Sequence, residues 1–186
     1  MSIQTPVNWW KPLLKEEKIW VYIILVWVVI MLVMMPLGHL VSNQNVSQES
    51  YRTTPEKFSK VANEFIKYYQ RKDKDGKPVD IAGIPVVEAP EGKDSFLVAR
   101  AWRFEPVLVL KKNKTYRIHM SSLDYQHGFS LQPQNLNFQI MPDYDFVITL
   151  TPNEAGTFHI VCNEYCFYAS NSLGHDTMVG QIIVEN

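Results

Sequence analysis

The chain has 186 residues, 46% of them hydrophobic, and its 18 Lys and Arg against 19 Asp and Glu leave a formal net charge of −1. That length supports one ordinary core and not two. A charge balance so even offers no basic surface for nucleic acid, which leaves the uneven placing of the apolar residues as the first signal.

Residues 19 to 35 read IWVYIILVWVVIMLVMM without one charged side chain, and the uncharged run continues through PLGHLV to Val41. A helix that crosses a bilayer core needs roughly 20 apolar residues, so residues 19–41 are expected to form a transmembrane helix. A cleaved secretory signal has a shorter apolar core followed by an A-x-A-like site, which MMPLGHLVSNQ lacks; the span is therefore read as a retained anchor. Lys11, Lys15 and Lys18 precede it and only Arg52 lies at a similar distance beyond it. This positive-inside bias places residues 1–18 in the cytoplasm and the rest of the chain outside, where disulfides are permitted. His39, at the end of the span, reads as an interfacial polar residue.

Residues 42–94 read as a linker with one helix. SNQNVSQESYRT is polar throughout, whereas TPEKFSKVANEFIKYYQ sets Phe58, Val61, Ala62, Phe65, Ile66 and Tyr69 on one helical face over residues 54–70, with Thr54 as cap and Pro55 at the first helical position. RKDKDGKPVD is a charged turn, and IAGIPVVEAPEGKD is rich enough in Pro and Gly to suggest irregular chain or short edge strands.

From residue 95 to 186 the pattern becomes short β-branched and aromatic runs: FLVARAWRF, PVLVLKK, TYRIHMSS, HGFSL, LNFQIM, YDFVITLT, GTFHIVC and VGQIIVE. Such spacing predicts a mainly β fold, a small antiparallel sandwich or Greek-key barrel. Alternation along TYRIHMSS puts His119 opposite Tyr116, Ile118 and Met120, on a face expected to meet solvent. In GTFHIVC it likewise puts His159 opposite Cys162.

CNEYCFYASNSLGHDTM, residues 162 to 178, holds both cysteines, a histidine and a methionine. Cys162 and Cys166 are four apart with no βαβ pattern around them, unlike a thioredoxin-type pair. Zinc has no use for Met178 and its usual cysteine spacing differs. Thiolate, thioether and imidazole together suit copper, and a second thiolate allows two metals to share sulfur ligands, with His127 and His175 serving one each. Such a closed site, without an open position for substrate, suits electron transfer. On spacing alone a disulfide remains the alternative to copper.

The runs SSLDYQHGFSL, GTFHIVCNEYC and GHDTMVGQIIVE resemble the CuA domain of subunit II of haem-copper respiratory oxidases, whose pattern is H-G-F, then C-x-E-x-C, then H-x-x-M. The resemblance implies a cupredoxin-like sandwich and a binuclear site of two copper ions held by His127, Cys162, Cys166, His175 and Met178, with Glu164 acting through its main-chain carbonyl. Between the second Cys and the His the family has three residues, as in C-G-x-G-H, whereas this chain has eight, FYASNSLG. The excess of five is expected directly after Cys166, as FYASN.

A single span resembles the B-family of these enzymes, and that likeness implies that Glu17, in EKIW, lies at a proton-path entrance shared with the large subunit. Glu16 is equally available there. Trp102 and Phe104 occupy the region where the family presents an aromatic residue to its donor, and ordinary strand packing explains both as well. Asp124 could orient the loop of His127, as a turn aspartate does with or without a metal. The role implied is electron transfer within cytochrome c oxidase in the cell (inner) membrane, with the domain on the periplasmic side, a large haem-copper catalytic subunit as partner, and cytochrome c or a similar donor. The oxygen chemistry and proton pumping would belong to the large subunit. The alternatives are the small subunit of a CuA-containing nitric oxide reductase and, of another class, a membrane-anchored copper chaperone or thiol reductant.

Overall fold

The computed structural model describes residues 11–41, 49–168 and 174–186. The side chain of His39 and the first ten residues of the expected cytoplasmic segment lie outside the described residues, as does the stretch 42–48 of the expected linker. The chain divides into two compact units, residues 1–44 and 45–186.

In the first unit one helix, α1, runs Lys15–Val41 over 27 residues, starting a turn before the expected span. The Leu14 N–H donates to Glu17 Oε2 at 2.7 Å. A glutamate at the third helical position thus reaches back to the cap residue, and Glu16 and Glu17 both lie in the first turn, where the helix dipole favours negative charge. Residues Lys15–Gly38 are long and apolar enough to cross a membrane, and the most apolar part of that stretch buries nothing inside the protein.

The second unit begins earlier than residue 95. After β1 (Glu49–Arg52) comes α2 (Pro55–Tyr69), capped by Thr54, whose hydroxyl accepts from Lys57 N at 3.4 Å. Then follow β2 (Asp80–Ile81), β3 (Ile84–Glu88), β4 (Asp94–Arg100), β5 (Arg103–Glu105), β6 (Val107–Lys111), β7 (Tyr116–Ser122), β8 (His127–Leu131), β9 (Leu136–Ile140), β10 (Tyr144–Leu150), β11 (Gly156–Val161) and β12 (Val179–Glu185). They form two sheets, of order β1-β10-β7-β4-β5 and β2-β3-β6-β12-β11-β8-β9. This is a cupredoxin-like sandwich, mainly β as expected.

Three features depart from the sequence reading. The polar ESYR segment, expected in a linker, is a strand because it pairs with β10; IPVVE, expected as irregular chain or a short edge strand, is an inner strand of the sandwich between β2 and β6. The pairs β4–β7, β3–β6 and β6–β12 are parallel, since the chain leaves the first sheet after β5, adds β6 to the second and returns as β7 beside β4. Side-chain alternation reports which face is buried and is silent about the direction of the neighbour. The run FLVARAWRF is not one strand: Arg100 pairs with Arg103, so Ala101 and Trp102 form the tip of a tight hairpin.

Between the sheets Leu97, Phe104, Leu108, Tyr116, Ile118, Met120, Phe129 and Ile160 are almost wholly buried, each contributing about 1.5–3 kcal/mol of transfer free energy. Helix α2 covers the outer face of the first sheet, with Phe58 and Ala62 against Val98 and with Phe65 edge-on to Phe96 at 5.6 Å. That cover overturns the expectation for His119. The ring does lie on the outward face, but Phe96 stacks on it at 5.1 Å and leaves the residue 9% exposed. Its Nδ1 lies 2.7 Å from Asp145 Oδ2 and its Nε2 lies 3.4 Å from Asp94 Oδ1. Burial alone would lower its pKa; the Asp145 hydrogen bond and the two carboxylate charges more than offset this and raise it.

Candidate metal centre

The β8, β11 and β12 strands place the donors. Ladder pairing of Val161 with Val179 continues as Cys162 N–H donating to Met178 O at 3.2 Å, so the first and last sulfurs of the loop leave adjacent strands in register. On the other side, β8 pairs with β11 at Leu131↔Ile160 and Ser130↔Val161, which brings His127 and Gly128 alongside the cysteine loop. A Cβ on Gly128 would lie 2.2 Å from Asn163 Oδ1 and 2.6 Å from Glu164 N, a contact no side chain allows. The glycine of H-G-F is therefore what lets the two backbones meet, and its N–H donates to Cys162 Sγ at 3.3 Å. In the sequence this glycine stands beside a ligand with no sign of the role.

Within the cluster Cys162 Sγ lies 3.5 Å from Cys166 Sγ, and both thiols are free. A disulfide needs about 2.05 Å, so the two sulfurs are neighbours and not a bond. Cys162 Sγ is 3.2 Å from the Glu164 carbonyl oxygen, while Cys166 Sγ is 3.8 Å from both His175 Nδ1 and Met178 Sδ. Ligand atoms of His127, Cys162 and Cys166 all lie within 4.8 Å of one another. Cys162, Cys166, His127 and Met178 are each at most 3% exposed. All six residues expected as ligands are thus brought together, His175 at the start of a 3₁₀ turn, His175–Thr177.

The electrostatics identify the atom His127 has to offer. Its Nε2 lies 2.7 Å from Asp124 Oδ1, an acceptor, so Nε2 carries a proton and Nδ1 is the nitrogen left to face a metal, which would displace any proton it holds. That Nδ1 is buried without a hydrogen-bond partner. An orphaned buried nitrogen ordinarily costs about 1–3 kcal/mol, and beside two sulfurs a metal ion is a partner that would remove the cost. Burial pushes both thiols up, but His127 and the Gly128 N–H hold Cys162 well below the usual thiol range, while burial beside Cys162 drives Cys166 above it. Burial by itself would lower the His127 imidazole, yet Asp124 and Cys162 raise it. A thiolate, a second buried thiol, two imidazoles and a thioether form a donor set for a soft, thiophilic ion such as copper.

The other expected residues fall elsewhere. Phe104 is 2% exposed and edge-on to Phe129 at 6.2 Å, so it is packed core and cannot present a ring at the surface. Half-buried Trp102 sits at the β4–β5 tip, and its Nε1–H donates to Phe167 O at 3.0 Å. His159 is exposed on the face opposite Cys162. Glu17 lies in the first unit, in the capping bond described above.

The long segment between Cys166 and His175 is closed at its base. Tyr168 and Gly174 form an antiparallel bridge, and His175 N–H donates to Phe167 O at 3.1 Å. Of the expected excess FYASN, Phe167 and Tyr168 are described and take part in this closure, whereas residues 169–173 lie outside the described residues.

Fold and site together define a cupredoxin-like domain with a buried soft-metal donor cluster, behind a helix long enough to span a membrane. No protein-family model matches the chain. It is 27% identical over 112 residues to a cytochrome c oxidase subunit 2 of Thermus thermophilus, covering 60% of this chain and 79% of that one. A second protein of that description, from a particular strain of Thermus thermophilus, matches at 27% identity, and this chain spans 64% of its length. A solved haem-copper terminal oxidase dimer aligns with 92% of this chain and 99% of its own at 19% identity and a TM-score of 0.49. The chain resembles subunit II of the haem-copper oxidases.

Proposed function

We propose that this chain is the electron-accepting subunit II of a respiratory haem-copper terminal oxidase, with two copper ions in the His127 cluster. The observation that carries the proposal is His127 Nδ1, buried and unpartnered beside two unbonded thiols 3.5 Å apart. Cys162 and Cys166 would be the shared ligands, His127 and His175 one imidazole each, Met178 and the Glu164 carbonyl the weak donors. Copper, when bound, supplies a one-electron carrier whose charge is spread over two ions.

The protein does the rest. Asp124 fixes the ring and tautomer of His127, Gly128 N–H stabilises charge on Cys162, and burial of four donors keeps water from the sulfurs. The same burial argues against a thiol reductant or chaperone, whose thiols must meet a partner. An electron leaving this domain would pass to a haem in a large subunit that the chain does not itself contain. The helix α1 would anchor the domain, with its N-terminus cytoplasmic and the domain on the outer face. On the outer side Trp102 and exposed Tyr125, Tyr165 and Phe167 give a cytochrome-type donor an aromatic surface close to the cluster. Glu17 keeps its reading as a proton-path residue, beside its capping bond.

The test is to load the full chain with copper in detergent. Two coppers per chain, a purple colour and an electron-spin signal from one electron shared over both ions are expected. A colourless protein with a Cys162–Cys166 disulfide under copper-replete conditions would overturn the reading. Oxygen consumption by the purified complex checks the terminal acceptor.

A further inference from the structure

The tip of the β4–β5 hairpin touches the support of both candidate imidazole ligands. Asp124 uses Oδ1 for His127 Nε2 and Oδ2 to accept from Ala101 N–H, both at 2.7 Å. One residue on, Trp102 Nε1–H donates to Phe167 O at 3.0 Å, and the same oxygen accepts from His175 N–H at 3.1 Å. A carbonyl has two lone pairs, and here both are occupied. Phe167 itself holds φ at +78°, a left-handed conformation uncommon for a residue with a side chain, so the turn depends on contacts such as these two hydrogen bonds to hold it. Two successive residues of one hairpin are thereby tied to His127 through a carboxylate and to His175 through a single peptide carbonyl.

We infer that Trp102 is a positioning residue for His175: its indole N–H, by holding the Phe167 carbonyl, fixes where that imidazole stands beside Cys166. The inference rests on the copper reading for its consequence. It assigns the tryptophan a task distinct from passing electrons, since the N–H acts here and not the ring. It also gives the loop between Cys166 and His175 a second fastening, independent of the Tyr168–Gly174 bridge.

The ring and the N–H are separated by replacing Trp102 with β-(3-benzothienyl)alanine, which keeps the shape and puts sulfur where the N–H was; Trp102→Phe is the simpler companion. Four of the five tryptophans lie in the first 27 residues, so in the full chain in detergent the indole of Trp102 is readily assigned. In the metal-free chain its N–H is expected to exchange slowly with solvent, and the isostere to speed exchange of the His175 amide. In the copper-loaded chain the isostere is expected to shift one histidine's hyperfine coupling and to raise the rate of copper removal by a chelator about tenfold, as loss of a ligand's support does. An indole N–H that exchanges freely, or a copper-loaded isostere identical to wild type in both copper readouts, overturns the role of Trp102 while leaving the copper site standing. A wild-type chain that takes up no copper overturns the copper reading and this consequence with it, whatever the indole does.

Discussion

The β-sandwich holds two buried histidines, each 2.7 Å from an aspartate oxygen, one in the first sheet and one in the second. His119, on β7, uses Nδ1 for Asp145, and its second nitrogen faces another carboxylate, Asp94, under the stacked ring of Phe96. His127, at the start of β8, uses Nε2 for Asp124, and its second nitrogen, which like that of His119 makes no hydrogen bond, has two sulfurs for neighbours. The pair alone therefore says nothing about function. What surrounds the other nitrogen separates a charge clasp from a ligand.

That distinction can be broken at four points. Removing a sulfur has the largest effect: Cys162→Ser should abolish the shared-electron signal and leave at most one copper per chain by metal analysis. His119→Leu should leave the copper spectrum alone yet strand Asp145 without its partner, a loss of about 3–5 kcal/mol in urea unfolding. This loss should depend on pH. Because the folded pKa of His119 is raised, the contribution of its charge is fully present below the unfolded value of about 6.5 and is lost as pH rises through the higher folded value, so the gap between wild type and variant should narrow on the alkaline side without closing, since the variant still lacks a donor to Asp145. Asp124→Asn should do the converse, lowering copper affinity about 10–100-fold by competition titration while moving the urea midpoint of the metal-free chain little. Last, His159→Ala, on an exposed surface away from the sulfurs, should change neither spectrum nor stability beyond about 0.5 kcal/mol.

Much of this was legible in the sequence. The uncharged run gave the long helix, Thr54–Pro55 gave α2, and the β-branched runs after residue 105 gave β6 to β12 almost to the residue, because buried faces leave an alternation that propensity reinforces. That His127, Cys162, Cys166 and Met178 would cluster was legible because donor chemistry survives without coordinates. What stayed hidden depended on partners far along the chain. ESYR has no apolar face and becomes a strand only against β10. His119 has the alternation of a solvent residue and is covered by Phe96 of β4, on which α2 packs in turn. Phe104 shared a surface role with Trp102 on paper, but the tight turn at Ala101–Trp102 sends one ring to the rim and the other into the core. The order of the sheets, with its parallel pairs, leaves no local trace at all.

The bridge between Tyr168 and Gly174 bears on how such a domain can change over generations. With the base closed by that bridge and by the His175 N–H to Phe167 O bond, the separation of Cys166 and His175 is set on the near side of the segment. A change made beyond that bridge is therefore expected to be damped before it reaches Cys166 and His175, because the pairing on the near side fixes the span between them.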